Sequence, residues 1–311
     1  MKLKLGIKIT LAVLILMIVI VLGYAIYLYL HVKSAADNIY EPREPIKQVS
    51  IVDNRGGGRF PIDMENQEPF NALILGVDER ANDRGRSDTM IVLSVNPARK
   101  SVLMFNIPRD TRTSIVGHGT EDKINHAYAF GGVNMSVQTV EQFLGVPMDY
   151  YLKVDMEGFA KVIDLVGGVD VHNPFAFEYE GHRFEKGTLH LDGASALGFS
   201  RMRYDDPKGD LGRNDRQREI IKQVLKNTVQ ISTVFQLESL LGEVSEHVKT
   251  DISFDEMKQM LSNYRNVLEH VESVEIKGTG KKIDGVYYYM VEQSEKNRIH
   301  QLIKEHSRLN G

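Results

Sequence analysis

The chain has 311 residues, a formal net charge of −4 and no cysteine. The missing cysteines exclude disulfide stapling, thiol catalysis and Cys-ligated zinc. The acidic balance disfavours nucleic acid as a partner, and the length suits one sizeable core or at most two domains.

Ile9 to Leu30 form an uncharged run of 22 residues dominated by Ile, Leu and Val. As a helix this run spans about 33 Å, enough for a hydrocarbon core of about 30 Å. Tyr24, Tyr27 and Tyr29 lie toward its outer end, where aromatic rings favour the membrane boundary. Lys2, Lys4 and Lys8 precede it and favour a cytoplasmic N-terminus, although Lys33 and Arg43 follow. Ser34-Ala35-Ala36 fits a signal cleavage site, but the apolar run is longer than a signal-peptide core of about 7–15 residues. The expected layout is a cytoplasmic tail at 1–8, a transmembrane anchor at 9–30, a connector at 31–67 and an extracellular domain at 68–311. The connector carries Pro42, Pro45 and Gly56-Gly57-Gly58. No P-loop Lys-Ser/Thr follows those glycines, so they suggest a tether.

Phe70–Val77, Met90–Val95 and Val102–Ile107 are near-continuous apolar runs, expected as strands covered on both faces. Asn96-Pro97 marks a turn between the last two. Lys123–Ala129 and Val133–Leu144 are predicted as helices separated by Gly131-Gly132. Then come a strand at Tyr150–Val154, a helix at Phe159–Val166, a short strand at Val169–Val171, a hairpin region at Phe175–Leu191 and a short helix at Asp192–Phe199. A helix is predicted from Asn214, as its N-cap, to Val229. Further helices are expected at Phe235–Val248 and Phe254–Val267, the second with a capping box from Ser253 and Glu256. Val271–Ile276 and Val286–Met290 are predicted strands, and Ser294–Leu309 a terminal amphipathic helix. Strands alternating with helices imply an α/β fold, a three-layer α-β-α arrangement with a central mixed sheet behind one N-terminal transmembrane helix.

The arginines are clustered among acids and glycines. Ser200 to Arg218 holds five of them, with smaller clusters at Gly85-Arg86-Ser87-Asp88-Thr89 and Ile107-Pro108-Arg109-Asp110-Thr111-Arg112. Arginine offers a planar fork of donors that matches phosphate oxygens, and neighbouring carboxylates suit a divalent ion. Asp78 ends one predicted strand and Asp88 begins the next, so an antiparallel pair puts both at one sheet edge, where Mg²⁺ is a natural ligand; a plain turn-capping role is the alternative for each. Pro108 ends its strand and aims Arg109 into the same crevice, unless Arg109 only pairs at the surface with Asp110 or Asp88. Arg201 and Arg203 share a face if their segment is extended. Arg213, Arg216 and Gln217 lie at a predicted helix start, where basic residues oppose the macrodipole unless an anion intervenes. Arg218 reads as a solvated helix residue. The histidines show no metal-site spacing, and no Gly-x-Ser-x-Gly elbow occurs.

These motifs, in this order, resemble the LytR-CpsA-Psr family of bacterial cell-wall proteins. The resemblance rests on Leu75-Gly76-Val77-Asp78, Gly85 to Met90, Ile107 to Thr111, Lys123-Ile124-Asn125-His126-Ala127-Tyr128, Arg201-Met202-Arg203 and Gly212 to Gln217. It covers about residues 69 to 230, and within the family the chain looks like the teichoic acid transferases of Gram-positive bacteria. It implies a phosphotransferase that moves an anionic glycopolymer from a polyprenyl-diphosphate carrier to a muramic acid hydroxyl of peptidoglycan, on the outer side of the cell membrane. The implied diphosphate ligands are Arg86, Arg109, Arg201, Arg203, Arg213 and Gln217. Asp78 and Asp88 would hold Mg²⁺ or Mn²⁺, and Arg109 and Asp88 would be catalytic. The partners implied are the lipid-linked glycopolymer, peptidoglycan and membrane lipid, with no nucleic acid. The chain departs from the family pattern at Arg218, where glutamine is usual, and at Phe199, where tyrosine is frequent. An apolar groove for the lipid tail is expected between the sheet and the Phe159–Val166 helix. A non-catalytic polyprenyl-phosphate binder and a lipid diphosphate hydrolase use the same motifs and stay open at this point.

Overall fold

A computed structural model describes residues 5–44, 62–79, 84–229 and 242–308, with residues 5–16 and 19 described in backbone alone. Its centre is a six-stranded sheet. The strands are β1 (Phe70–Val77), β2 (Ser87–Asn96), β3 (Ser101–Asn106), β6 (Tyr150–Asp155), β11 (Val248–Thr250) and β12 (His270–Ser273), in the order β11-β6-β1-β2-β3-β12. β1, β2 and β3 form an antiparallel meander. β6 and β12 add parallel to β1 and β3, and β11 adds antiparallel to β6, so the sheet is mixed.

Alternation along the strands divides the core. Leu73, Leu75 and Val77 face one side with Met90, Val92, Leu103 and Phe105. There they meet Tyr128, Val137, Val140 and Phe143 of α2 (His126–Leu144), and Ile299 and Ile303 of the C-terminal helix (Gln293–His306). Phe70, Ile74, Ile91, Leu93, Val95, Val102 and Met104 face the other side. They are covered by Ile221 and Leu225 of α5 (Asp210–Val229) and by Met260, Tyr264 and Val267 around α6 (Phe254–Asn263). Both faces are covered, which is why the strands carry continuous apolar runs rather than alternating ones. The expected three layers are present.

A second apolar cluster lies beside the sheet. It joins α3 (Met156–Leu165), β7 (Val169–Asn173), β8 (Phe177–Tyr179), β9 (His182–Phe184), β10 (Gly187–Leu191) and α4 (Gly193–Arg201) to Ile220 of α5. Phe177 and Phe199 stack with centroids 5.6 Å apart, and Ile163, Val169 and Phe199 are fully buried. Phe199 belongs to this core.

Several boundaries differ from expectation. The helix predicted from Asn214 begins a turn earlier, at Asp210. Gly209, at φ 57°, is the left-handed residue just before it, so Gly209 marks the start and Asn214 is no cap. Lys123 ends the short strand β5 (Glu121–Lys123), paired with β4 (Arg112–Ser114), and the helix opens only at His126. The expected break at Gly131-Gly132 is present: both have non-helical backbone angles and divide α2 into two helical pieces. The capping box at Ser253 and Glu256 is formed, but α6 stops at Asn263 and a 3₁₀ turn, Arg265–Glu269, follows. Of the predicted helix Phe235–Val248, residues 235–241 lie outside the described residues, 242–244 are helical, and Val248 opens β11. The last elements are a hairpin, β13 (Thr279–Ile283) and β14 (Val286–Met290), and α7 (Gln293–His306).

At the N-terminus one helix, α1, runs Leu5–Ile39. The expected anchor lies partly outside the residues whose side chains are described. Among the described residues no helix is long and apolar enough to cross a membrane. The end of α1 is docked: Val32, Ala36 and Ile39 are buried with Phe254. Beyond it, Arg43 pairs with Asp251 at 2.6 Å and donates to the Met148 and Asp149 carbonyls.

Candidate functional site

The site forms where β1 ends, β2 begins and β3 ends, an edge that the antiparallel meander brings together. Asp78 follows the last residue of β1, and its N–H donates to the Arg86 carbonyl (3.2 Å). The loop between them closes on Gly85, at φ 69°, where a Cβ would lie 1.9 Å from the Asp78 carbonyl oxygen. No other residue fits there. Asp88 is the extra residue of a β-bulge: Gly76 pairs with Thr89 and Val77 with Ser87, which leaves Asp88 without an opposite partner. A bulge turns its extra side chain out of the regular alternation. Asp88 Oδ2 consequently meets Arg109 Nη1 at 2.9 Å, and its Oδ1 accepts from Asn125 Nδ2 at 3.2 Å.

Arg109 leaves the end of β3 after Ile107-Pro108. Its Nε lies 4.0 Å from Asp210 Oδ1, in the first turn of α5. Arg203 Nη1 is 3.9 Å and Arg213 Nη2 2.9 Å from the same oxygen. Three guanidiniums from three segments therefore surround one carboxylate. Their alignment is poor: Arg213 Nε and Nη2 and Asp210 Oδ1 are buried without a hydrogen-bond partner among the described residues. Burial and the neighbouring charges of Arg109 and Arg203 lower the Arg213 pKa, with Asp210 opposing. Burial also works against the charge of Arg109, but Asp88 and Asp210 outweigh it and raise its pKa. Arg109, Asp110, Lys123, Arg203, Asp210 and Tyr287 line a cleft of about 360 Å³. Lys123 Nζ reaches Asp110 at 2.7 Å. Tyr287 is raised in pKa by partial burial and by the charges of Asp110 and Asp210.

Of the residues expected at the site, Asp88, Arg109, Arg203 and Arg213 come together, and Asp78 lies at the same edge. Arg86 is exposed, and its side chain makes no ion pair among the described residues. Arg201 does not share a face with Arg203. It is the last residue of α4, so the segment is not extended there, and Nη1 pairs instead with Glu180 at 2.9 Å. Gln217 is buried against Asn106, whose amide donates to it at 3.3 Å. Arg218 is not solvated: it is buried and donates to Asn106 Oδ1 (3.0 Å) and to Asp215. Arg216 binds Asp206 and the Phe199 and Met202 carbonyls, and so ties α5 to the end of α4.

Sequence reasoning missed Asp210, Lys123 and Tyr287. Asp210 sits in the Gly209-Asp210 pair, which a helix start at Asp210 would have exposed. Tyr287 arrives from a hairpin with no local chemical signature.

Among the described residues no group of three or more His, Asp and Glu could hold a metal alone. Mg²⁺ is commonly held by one or two carboxylates, substrate phosphates and water. Asp78 and Asp88 fit that pattern, and Asn125 Oδ1, on the amide that donates to Asp88, is a buried oxygen with no hydrogen-bond partner among the described residues.

The model of the LytR_cpsA_psr family matches residues 26–305. The chain belongs to that family. Among LytR_cpsA_psr proteins, it is 46% identical over 271 residues to the polyisoprenyl-teichoic acid–peptidoglycan teichoic acid transferase TagU of Halalkalibacterium halodurans, covering 86% of this chain and 88% of that one. The crystal structure of Bacillus subtilis TagU superposes with a TM-score of 0.65 at 43% identity, over 78% of this chain and 99% of the other. TagT bound to LI-WTA superposes with a TM-score of 0.67 at 27% identity, over 79% of this chain and 93% of that chain. This family match spans both the sheet edge and the C-terminal hairpin.

Proposed function

We propose that this protein is a membrane-anchored phosphotransferase that moves an anionic glycopolymer, of the teichoic acid class, from a polyprenyl-diphosphate carrier to peptidoglycan in cell wall assembly. The observation that carries the reading is the convergence of Arg109, Arg203 and Arg213 on one site, where two buried Arg213 donors make no hydrogen bond among the described residues. Unpaired buried donors are costly, and an anionic ligand would satisfy them.

In the reaction, the acceptor hydroxyl oxygen forms a bond to the sugar-bearing phosphorus. The bond from that phosphorus to the bridging oxygen breaks, its electron pair stays with the bridge, and polyprenyl monophosphate leaves. Such transfers need positioning and charge neutralisation more than covalent help. Arg203 and Arg213 hold the diphosphate. Arg109, braced by Asp88, faces the charge that develops on the oxygens. Asp88 would be a metal ligand, so Asp110 at the cleft wall, paired with Lys123 at 2.7 Å, is the carboxylate left to take the hydroxyl proton. Asp78 and Asp88 would hold Mg²⁺, which as a Lewis acid neutralises phosphate charge. Arg86, exposed on the loop beside Asp78, can swing onto a bound phosphate. The uncharged run Ile9 to Leu30 supports the anchor, with the N-terminus in the cytoplasm and the globular part outside. The anchor keeps the cleft near a lipid-borne substrate.

The test uses the full chain in liposomes with a labelled polyprenyl-diphosphate-linked saccharide, peptidoglycan and Mg²⁺. Label should reach the peptidoglycan in the parent, while Arg109→Ala and Asp88→Ala should each lose on the order of 10²-fold or more in rate. Lipid binding without attachment would replace the reading with a binder, and free phosphorylated saccharide with one for a hydrolase.

A further inference from the structure

Tyr287 differs in kind from its neighbours. The other residues lining the cleft are charged, whereas Tyr287 presents an aromatic ring, 45% exposed. Tyr289, on the same face of β14, is buried and donates its hydroxyl to the Ile276 carbonyl at 3.1 Å. Tyr287 is therefore the ring that the hairpin leaves open to the cleft.

The ring is held in place. A Cβ on Gly280 of β13 would lie 2.7 Å from Tyr287 Cε2, 2.8 Å from its hydroxyl oxygen and 3.1 Å from Cζ. Gly280 has no positive φ, so its contribution is space. The ring lies against bare backbone, and any side chain at Gly280 would lift it. Gly278 seats Tyr289 in the same way, with a Cβ position 2.6 Å from Cε1. Each tyrosine thus covers a glycine diagonally across the hairpin. The hairpin itself is fastened to the loop that carries Arg109. Tyr289 N–H donates to the Asp110 carbonyl at 2.8 Å, Thr111 bridges Tyr289, and the Arg112 guanidinium lies 5.8 Å from the Tyr288 ring centroid. Tyr287 and Arg109 consequently share one rigid frame.

We propose that Tyr287 is a stacking platform for a sugar ring of the glycan undergoing transfer, which makes it a positioning residue for the reaction. A seated tyrosine with one open face offers a large rigid surface at small entropic cost. That face suits the C–H side of a pyranose, and the adjacent charged groups suit the phosphate to which the saccharide is attached. The inference rests on the glycan-transfer reading above and adds where the saccharide lies. Arg109 and Arg203 hold charge, and Tyr287 selects for a ring beside it.

The test compares Tyr287→Ala, Tyr287→Phe and Gly280→Ala in the full chain in liposomes, with donor and acceptor varied separately. Tyr287→Ala should raise the KM of one glycan substrate about five- to tenfold, with a far smaller change in kcat. Gly280→Ala should move the same KM in the same direction, because it lifts the ring without removing it. Tyr287→Phe should restore the parent KM. The donor KM should be the one that moves; a shift confined to the acceptor would overturn the placement. Thermal melts of all three confirm folding, since the ring is exposed and its removal leaves no cavity. In parallel, NMR titration with a peptidoglycan disaccharide and with the phosphate-free donor saccharide reads the platform without turnover. If the parent transfers nothing yet binds a saccharide through Tyr287, the function fails and the platform stands. Unchanged KM for both glycans in Tyr287→Ala, a Phe variant that behaves like Ala, or equal saccharide binding with and without the ring would overturn the proposal.

Discussion

Arg213 Nη2 stands 2.9 Å from Asp210 Oδ1, three residues earlier on the same helix, without the alignment of a hydrogen bond. The two are neighbours by helical periodicity, but the company they keep is tertiary. Arg109 and Arg203 reach the same oxygen from other segments. Asp210 thereby acts as the internal counter-charge of a cluster of three guanidiniums.

Asp210→Asn removes that counter-charge while it keeps the shape. Three guanidiniums, one of them buried, then face one another. The variant should be less stable than the parent by about 2–4 kcal/mol in dilute buffer. Added inorganic pyrophosphate should raise its Tm by more than it raises the parent's, because the ligand replaces the lost charge. Equal pyrophosphate shifts in thermal melts would show that Asp210 does not neutralise the cluster.

Arg216 sits one turn from Arg213 yet has a different task. Its fork is filled by Asp206 and by the Phe199 and Met202 carbonyls, and its guanidinium carbon lies 5.7 Å from the Phe199 ring centroid. Arg216→Ala leaves Asp206, with a side chain only 4% exposed, unpaired. A loss of about 3–5 kcal/mol is expected by chemical denaturation. Arg203→Ala, half a cleft away and partly exposed, should cost under about 1 kcal/mol of stability while it abolishes most transfer. A stable Arg216→Ala protein would contradict the structural assignment.

His306 closes the last turn of α7 with its ring between Ser94 and Ser101, at 3.1 and 2.9 Å. Burial, and secondarily Arg99, push its pKa down to about 4 from an ordinary 6.5. The unfolded chain takes up this proton more readily than the folded one. Stability from this group is therefore complete above pH 6.5 and declines as pH falls from 6.5 toward 4, by up to ~3 kcal/mol. His306→Gln, which keeps a polar group without a titration, should flatten the slope of unfolding free energy against pH in that window. An unchanged slope would remove His306 as its source.

Much of the fold was legible because its signals are local. The runs at Phe70–Val77 and Val102–Asn106, the Asn96-Pro97 turn and the Ser253–Glu256 capping box each depend on a few adjacent residues. The helix start at Asp210 was misread because Asn214 is a good cap by type, whereas Gly209 supplied the left-handed turn that sets the boundary. Arg201 and Arg203 looked like one face only under an extended backbone; α4 runs through Arg201 and separates them. The bulge at Asp88 has no residue signature at all, because it is a mismatch between two strands.

The chain by itself determined which residue types stand at the strand ends, Asp78, Asp88 and Arg109 among them, because apolar runs, prolines and glycines act over a few bonds. It also determined the family, through motifs whose order is independent of any contact. Only the tertiary structure decided that Arg203 and Arg213 meet Arg109 around Asp210, that Arg201, Arg216 and Gln217 do not, and that a hairpin nearly two hundred residues from Arg109 adds Tyr287 to the cleft. Such meetings depend on how separate elements pack, and a side chain's partner across a packed interface is not encoded in its own neighbourhood.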